Sequence, residues 1–134
     1  MTTTQNLTGY RMQCQTRDLA ALLDPEQQYS FPMSNDDELV RHGVSCVATL
    51  PELAAYLAVM AIEAGRPSIV RISGPMSDDE PLDADMGEML LLPVEAERVA
   101  DDAAFFELVS DLVDLHWDEG VEFSELLTIA ETRI

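Results

Sequence analysis

The chain has 134 residues, 26 of them acidic and seven basic, for a formal net charge of −19; every cation is an arginine. A surface this negative repels nucleic acid, anionic membrane and acidic substrates, which argues against direct DNA or RNA binding and favours a basic protein partner. Hydrophobic residues make up 47%, too many for a disordered acidic tail, and the length fits one domain spanning residues 1–134.

The N-terminal segment MTTTQNLTGYR has neither a basic nor an apolar signal region, so the sequence predicts a cytoplasmic protein. TGYRMQCQT alternates Tyr10, Met12 and Cys14 against Arg11, Gln13 and Gln15, the period of a strand. RDLAALLD follows as a short helix, with Thr16 as N-cap and Pro25 beyond its end. EQQYSFPMS reads as a loop, and Ser34 or Asn35 would cap a brief helix, DDELVRH, stopped by Gly43. VSCVAT is a second strand. Thr49 to Glu52, TLPE, has the spacing of a capping box with proline in the first turn. It opens the most apolar helix, expected to run to Gly65 and to form the centre of the core. The longest apolar run, Leu53 to Ile62, is too short for a bilayer, which needs about 20 residues.

PSIVRIS is a third strand, and an acidic loop over residues 74–88 follows, kept irregular by Pro81. EMLLLPV is a fourth strand, apolar at consecutive positions and so buried on both faces. From Glu95 the sequence reads as helical through AERVADDAAFFELVSDLVDLHWDE to Gly120; the tail VEFSELLTIAETRI fits a strand then a helix, or one short helix. The predicted class is therefore mixed α+β (α/β): a small sheet of about four strands with helices packed on it, in a single compact domain. Cys14 and Cys46 both fall in apolar alternating stretches and read as reduced core thiols.

The charge is concentrated in one half. Residues 1–71 hold eight acids and five arginines, whereas residues 72–134 hold eighteen acids and two arginines. Adaptation to a salty cytoplasm would spread acids over the whole surface. Within the acidic half, SDDEPLDADMGE gathers Asp78, Asp79, Glu80, Asp83, Asp85 and Glu88. Further on, Glu107, Asp111, Asp114 and Asp118 recur at spacings of four, three and four, which places them within about 60° of one line on a helix. The opposite side carries Phe105, Val109, Leu112 and His116, an apolar stripe in which the histidine reads as a core residue. Like charges at this spacing repel, and no lysine or arginine stands four residues away to relieve them. The four carboxylates cover roughly 16 Å, a charge density of the same order as one phosphate per about 3.4 Å along a DNA strand. Asp101 and Asp102 upstream and Glu119 downstream extend the array.

On these two segments the chain resembles small acidic inhibitors of host defence encoded by phages and plasmids, the anti-restriction and anti-CRISPR proteins, some of which are similar to DNA in surface charge. The resemblance is one of class and covers about half the chain. It implies an inhibitor, acting in the host cytoplasm if phage-encoded, whose acidic face fills the basic nucleic-acid groove of a nuclease complex. Immunity proteins for basic toxin nucleases fit the same charge logic. The expected contact residues are Asp78, Asp79, Glu80, Asp83, Asp85, Asp101, Asp102, Glu107, Asp111, Asp114, Asp118 and Glu119, with no catalytic residue, metal or cofactor. Trp117 reads as a core residue, or else as an anchor in that interface.

Other chemistries have less support. The loop carboxylates suit a hard cation, but DADMGE places Gly87 and Glu88 too early for a calcium-binding loop of the EF-hand type. No phosphate-binding glycine loop, nucleophile elbow or zinc-protease pattern is present. The segments GYRMQ, GVSCVATLPELAAYLA and GEMLLLP resemble, in order, those of ADP-ribosyltransferases of the Arg-Ser-Glu class. Ser45-Cys46-Val47 stands where that family has Ser-Thr-Ser, and Met86 where many members have Gln or Glu. That resemblance implies a NAD-binding enzyme in which Arg11 grips the phosphates, Ser45 follows on a strand and Glu88 is the catalytic carboxylate. A plain acidic housekeeping domain is the third possibility. Read without that resemblance, the arginines of the first half, Arg11, Arg17, Arg41, Arg66 and Arg71, are expected to pair with local acids.

Overall fold

A computed structural model describes residues 5–16, 18–30, 40–62, 67–99 and 103–134. The alternating segment at the N-terminus forms β1 (Leu7–Cys14), and it pairs antiparallel along its whole length with β5 (Pro67–Gly74), from Leu7 opposite Gly74 to Cys14 opposite Pro67. β7 (Glu95–Arg98) pairs antiparallel with the other edge of β5, giving a sheet of order β1-β5-β7. Tyr10, Met12 and Ile69 point to one face, and α1 (Leu50–Met60), α2 (Ala103–Glu119) and α3 (Phe123–Arg133) pack there. Val70 and Ile72 point to the other face and pack with Leu22, Val44, Cys46 and Leu91. The sheet thus separates two hydrophobic cores, and burying each of its large aliphatic side chains stabilises the fold by about 1.5–3 kcal/mol.

The second layer is built by a strand with two partners. β4 (Val44–Cys46) pairs antiparallel with β6 (Met89–Leu91). One residue on, Val47 exchanges both backbone hydrogen bonds with Tyr10 of β1, at 2.7 and 3.0 Å. At that corner a side chain on Gly9 would collide with the Cys46 sulfur, so the close approach of the two strands requires glycine. The other connection is a bent antiparallel hairpin. Ser73 receives Val94 N–H, Pro75 receives Leu92 N–H, and Ser77 N–H reaches Leu90 O, each at 2.8 Å. Residues 78–88 are the tip of this hairpin. β2 (Tyr29–Ser30) and β3 (Arg41–His42) form a further two-stranded ribbon.

α1 starts as its sequence predicts. Thr49 accepts Glu52 N–H at 3.2 Å and its hydroxyl donates to the Glu52 carboxylate at 3.1 Å. Leu53, Ala54, Ala55, Leu57 and Ala58 are buried, and the small alanines let α2 and α3 lie close on either side. α2 buries Phe105, Leu108, Val109 and Leu112 and ends at Gly120, whose left-handed φ of 70° lets Val121 N–H reach back to Leu115 O.

The mixed α+β class is as the sequence predicts, with the antiparallel strands of the described residues distributed over three small sheets in place of one four-stranded sheet. Several elements differ from the sequence reading. Residues Glu95–Arg98 are a strand and not the start of a helix, because β5 offers a free edge and Arg98 ties the segment down through Ser68 Oγ (2.7 Å) and Gln15 O (3.0 Å). RDLAALLD gives a 3₁₀ turn, Leu19–Leu23, capped by Asp18 and not Thr16; Asp18 accepts Ala20 N–H at 2.9 Å. EQQYSFPMS contains a second such turn, Pro25–Gln27, and the short strand β2. The expected helix at DDELVRH covers residues 36–42; residues 36–39 lie outside the described residues, and its end, Arg41–His42, is a strand. α1 stops at Met60 with Ala61 in a left-handed cap, and Gly65 lies outside the described residues. The tail resolves to a single helix, α3, which buries Leu126 and Ala130.

Candidate functional site

A chain of polar contacts gathers where β1, β3, β4, α1 and the hairpin tip meet. Arg11 on β1 donates to Ser45 O at 3.0 Å. Ser45 Oγ donates to Glu88 Oε2 at 2.5 Å. Glu88 Oε1 accepts from Arg41 Nη1 at 3.2 Å and from Asp83 N–H at 2.9 Å. Asp83 in turn accepts from the Tyr56 hydroxyl of α1 at 2.9 Å. The Glu88 side chain is 3% exposed and that of Arg41 is 11% exposed. Arg11, Ser45 and Glu88, which the transferase resemblance sets apart, are therefore brought together across 34 and 43 positions of sequence.

Local sequence explains why the tip closes here. Ala84–Met86 forms a 3₁₀ turn, so the loop is more regular than Pro81 alone predicts. Gly87 ends the turn at φ 88°, and a side chain there would strike the Glu52 carboxylate. That left-handed residue aims Glu88 back under the loop. Asp79 accepts His42 N–H at 2.6 Å, and Ser77 Oγ donates to His42 O at 2.6 Å. The tip is held to β3, β4 and α1 by its own acids.

The electrostatics of this cluster are those of a closed interior. Burial pushes the Cys46 thiol up to about 12, with nearby Arg11 pulling the other way and Glu88 adding to the rise. Burial likewise raises the Tyr56 phenol, reinforced by the charge of Glu88 and the bond to Asp83. Burial therefore favours the protonated form of the Cys46 thiol. Both Glu88 oxygens are bonded and its side chain is almost fully buried, so in this arrangement it ties the hairpin tip to β3 and β4. Among the described residues no group of three or more His, Cys, Asp or Glu side chains could hold a metal ion.

The acidic stripe is a separate feature. Glu107, Asp111, Asp114, Asp118 and Glu119 are exposed on α2. Asp111 is paired with Arg133 of α3 at 3.0 Å, a cation that the spacing rule on one helix could not reveal. Among the described residues Glu107, Asp114 and Asp118 form no salt bridge. Asp78, Glu80 and Asp85 are exposed on the hairpin tip, as is Asp79, while Asp83 is half-buried. Asp101 and Asp102 lie outside the described residues.

Four expectations change. Arg41 and Arg71 pair with Glu88 and Glu97, acids distant in sequence; Arg17 and Arg66 lie outside the described residues. Cys14 is only half-buried, because it ends β1 beside Thr16. Trp117 is not core: it is 60% exposed, with its indole N–H donating to Ala58 O at 3.0 Å. His116 is half-buried, and its Nδ1 meets Val121 O at 2.7 Å. Sequence reasoning missed Arg41 and Tyr56 as partners of the cluster, since nothing in the spacing of isolated polar residues marks which will meet.

No helix of the described residues is long and apolar enough to cross a membrane. No family model, no curated protein and no solved structure matches the chain.

Proposed function

We propose that the protein acts by binding, docking the acidic face of α2 on a basic surface of a nucleic-acid-handling protein and thereby blocking that partner's substrate. The observation that supports this reading is the contrast in the state of its carboxylates. Glu107, Asp114 and Asp118 stand exposed on one line and form no salt bridge among the described residues, while Glu88 is buried and fully bonded. Exposed like charges on a helix cost stability, and a docking surface accounts for that cost. Association through such a face is fast and weakens as salt rises. The test is capture of partners from a host lysate at low salt, comparing the natural chain with Asp114→Arg/Asp118→Arg. Recovery of a basic nucleic-acid enzyme by the natural chain alone supports the reading; equal recovery by both sinks it.

A second reading has its own observation, the convergence of Arg11, Ser45 and Glu88. It is a NAD-binding transferase fold in which the hairpin tip must lift before Glu88 meets a ligand. NAD hydrolysis or transfer by the natural chain, lost in a folded Glu88→Gln variant, would favour it; an inert natural chain counts against it.

A further inference from the structure

We propose that the exposed face of Trp117 is the anchoring site for an arginine side chain of the basic partner, an inference that rests on the binding reading above. Trp117 is 60% exposed near the end of α2, although a large aromatic side chain ordinarily gains most by burial. Its orientation is fixed from behind. The indole N–H is held by Ala58 O at 3.0 Å, and the ring meets His116 edge to face, with centroids 5.2 Å apart. The one polar atom of the side chain is thus already bonded, and what it offers to solvent is π surface. Such a surface attracts either apolar groups or a cation.

The surroundings select the cation. On an ideal helix Asp114 and Asp118 lie about 60° and 100° round from Trp117, on the same side. Both are exposed and form no salt bridge among the described residues. The C-terminal end of α2 adds its own partial negative charge. A neutral apolar partner would have to desolvate these carboxylates without compensation, and an anionic membrane would be repelled. Arginine fits better than lysine, because a planar guanidinium stacks on an indole while its edge donates to a neighbouring carboxylate. The ring is preset by its bond to α1, so little ordering is needed on contact.

Trp117 is the chain's one tryptophan, so its emission reports this site alone. The experiment titrates the full chain at low salt with nona-arginine and with nona-lysine, following tryptophan emission and, in parallel, heat of binding. The expected result is a saturable emission change with nona-arginine, tighter binding of nona-arginine than of nona-lysine, and a loss of about two- to fivefold in nona-arginine affinity on Trp117→Leu, the range of an exposed cation–π contact. Trp117→Leu should erase that preference while leaving charge-driven binding of both peptides. If both peptides bind equally and the emission does not respond, the anchor is overturned and the acidic docking face stands. If neither peptide binds at low salt, the anchor and the docking face fail together.

Discussion

On the hairpin tip, Asp79, Asp83 and Glu88 all accept hydrogen bonds from the body of the protein; on α2, Glu107, Asp114 and Asp118 turn to solvent. The two regions look alike in composition. They differ in what lies within reach of each carboxylate. The tip folds back on two strands and a helix that supply donors to it, whereas α2 presents its stripe away from the core. The same residue type is therefore a structural tie in one place and an open charge in the other.

That contrast can be broken or sharpened by substitution. The largest effect is expected from Glu88→Ala, which removes the carboxylate that pairs with Arg41 and takes away the acceptor of the Ser45 hydroxyl and of Asp83 N–H. It should cost about 3–5 kcal/mol in urea unfolding; a neutral result would mean that the tip carboxylates are no more engaged than those of α2. Next comes alkali. Cys46 has a folded pKa raised from 9.0 to about 12, so the unfolded chain releases its proton first. Stability from this group is complete below about pH 9 and is lost as pH rises towards 12, by a few kcal/mol in order of magnitude. Tyr56 acts in the same direction. Melting temperature followed from pH 7 to 11 should fall steadily above 9, and less steeply in Cys46→Ala.

Gly87→Ala should cost about 1–2 kcal/mol, from the left-handed backbone and the encounter with Glu52. Tyr56→Phe removes one hydrogen bond to Asp83 and should cost about 1 kcal/mol. At the small end, Asp114→Arg/Asp118→Arg should change stability by no more than about 0.5 kcal/mol, while binding to a basic partner at low salt collapses. If that pair unfolds the protein instead, the α2 carboxylates are structural after all.

Apolar period carried most of the fold. β1, β5, α1 and the buried face of α2 could be read because their side chains alternate or recur as their burial demands. β7 could not, since Glu95, Glu97 and Arg98 are exposed on an edge strand and carry no apolar pattern; its pairing is decided by β5. The tail is ambiguous because Val121 and Phe123 mimic alternation where a helix begins. At the candidate site, the stripe was legible from spacing alone, but its relief by Arg133 was not, as that contact crosses between helices. The gathering of Arg11, Ser45 and Glu88 came from a resemblance in segment order. The roles of Arg41 and Tyr56 there depend on tertiary approach, which single-residue spacing does not encode.

Val47, whose backbone is shared with Tyr10 just after β4 leaves β6, has a consequence for how the molecule comes apart. Because one continuous strand is stitched into both layers, neither layer can open without tearing the ladder of the other. The amides of Tyr10 and Val47 should exchange with deuterium only through global unfolding, at a rate matching the slowest protons of α1. The two cores then behave as one cooperative unit, melting in a single transition.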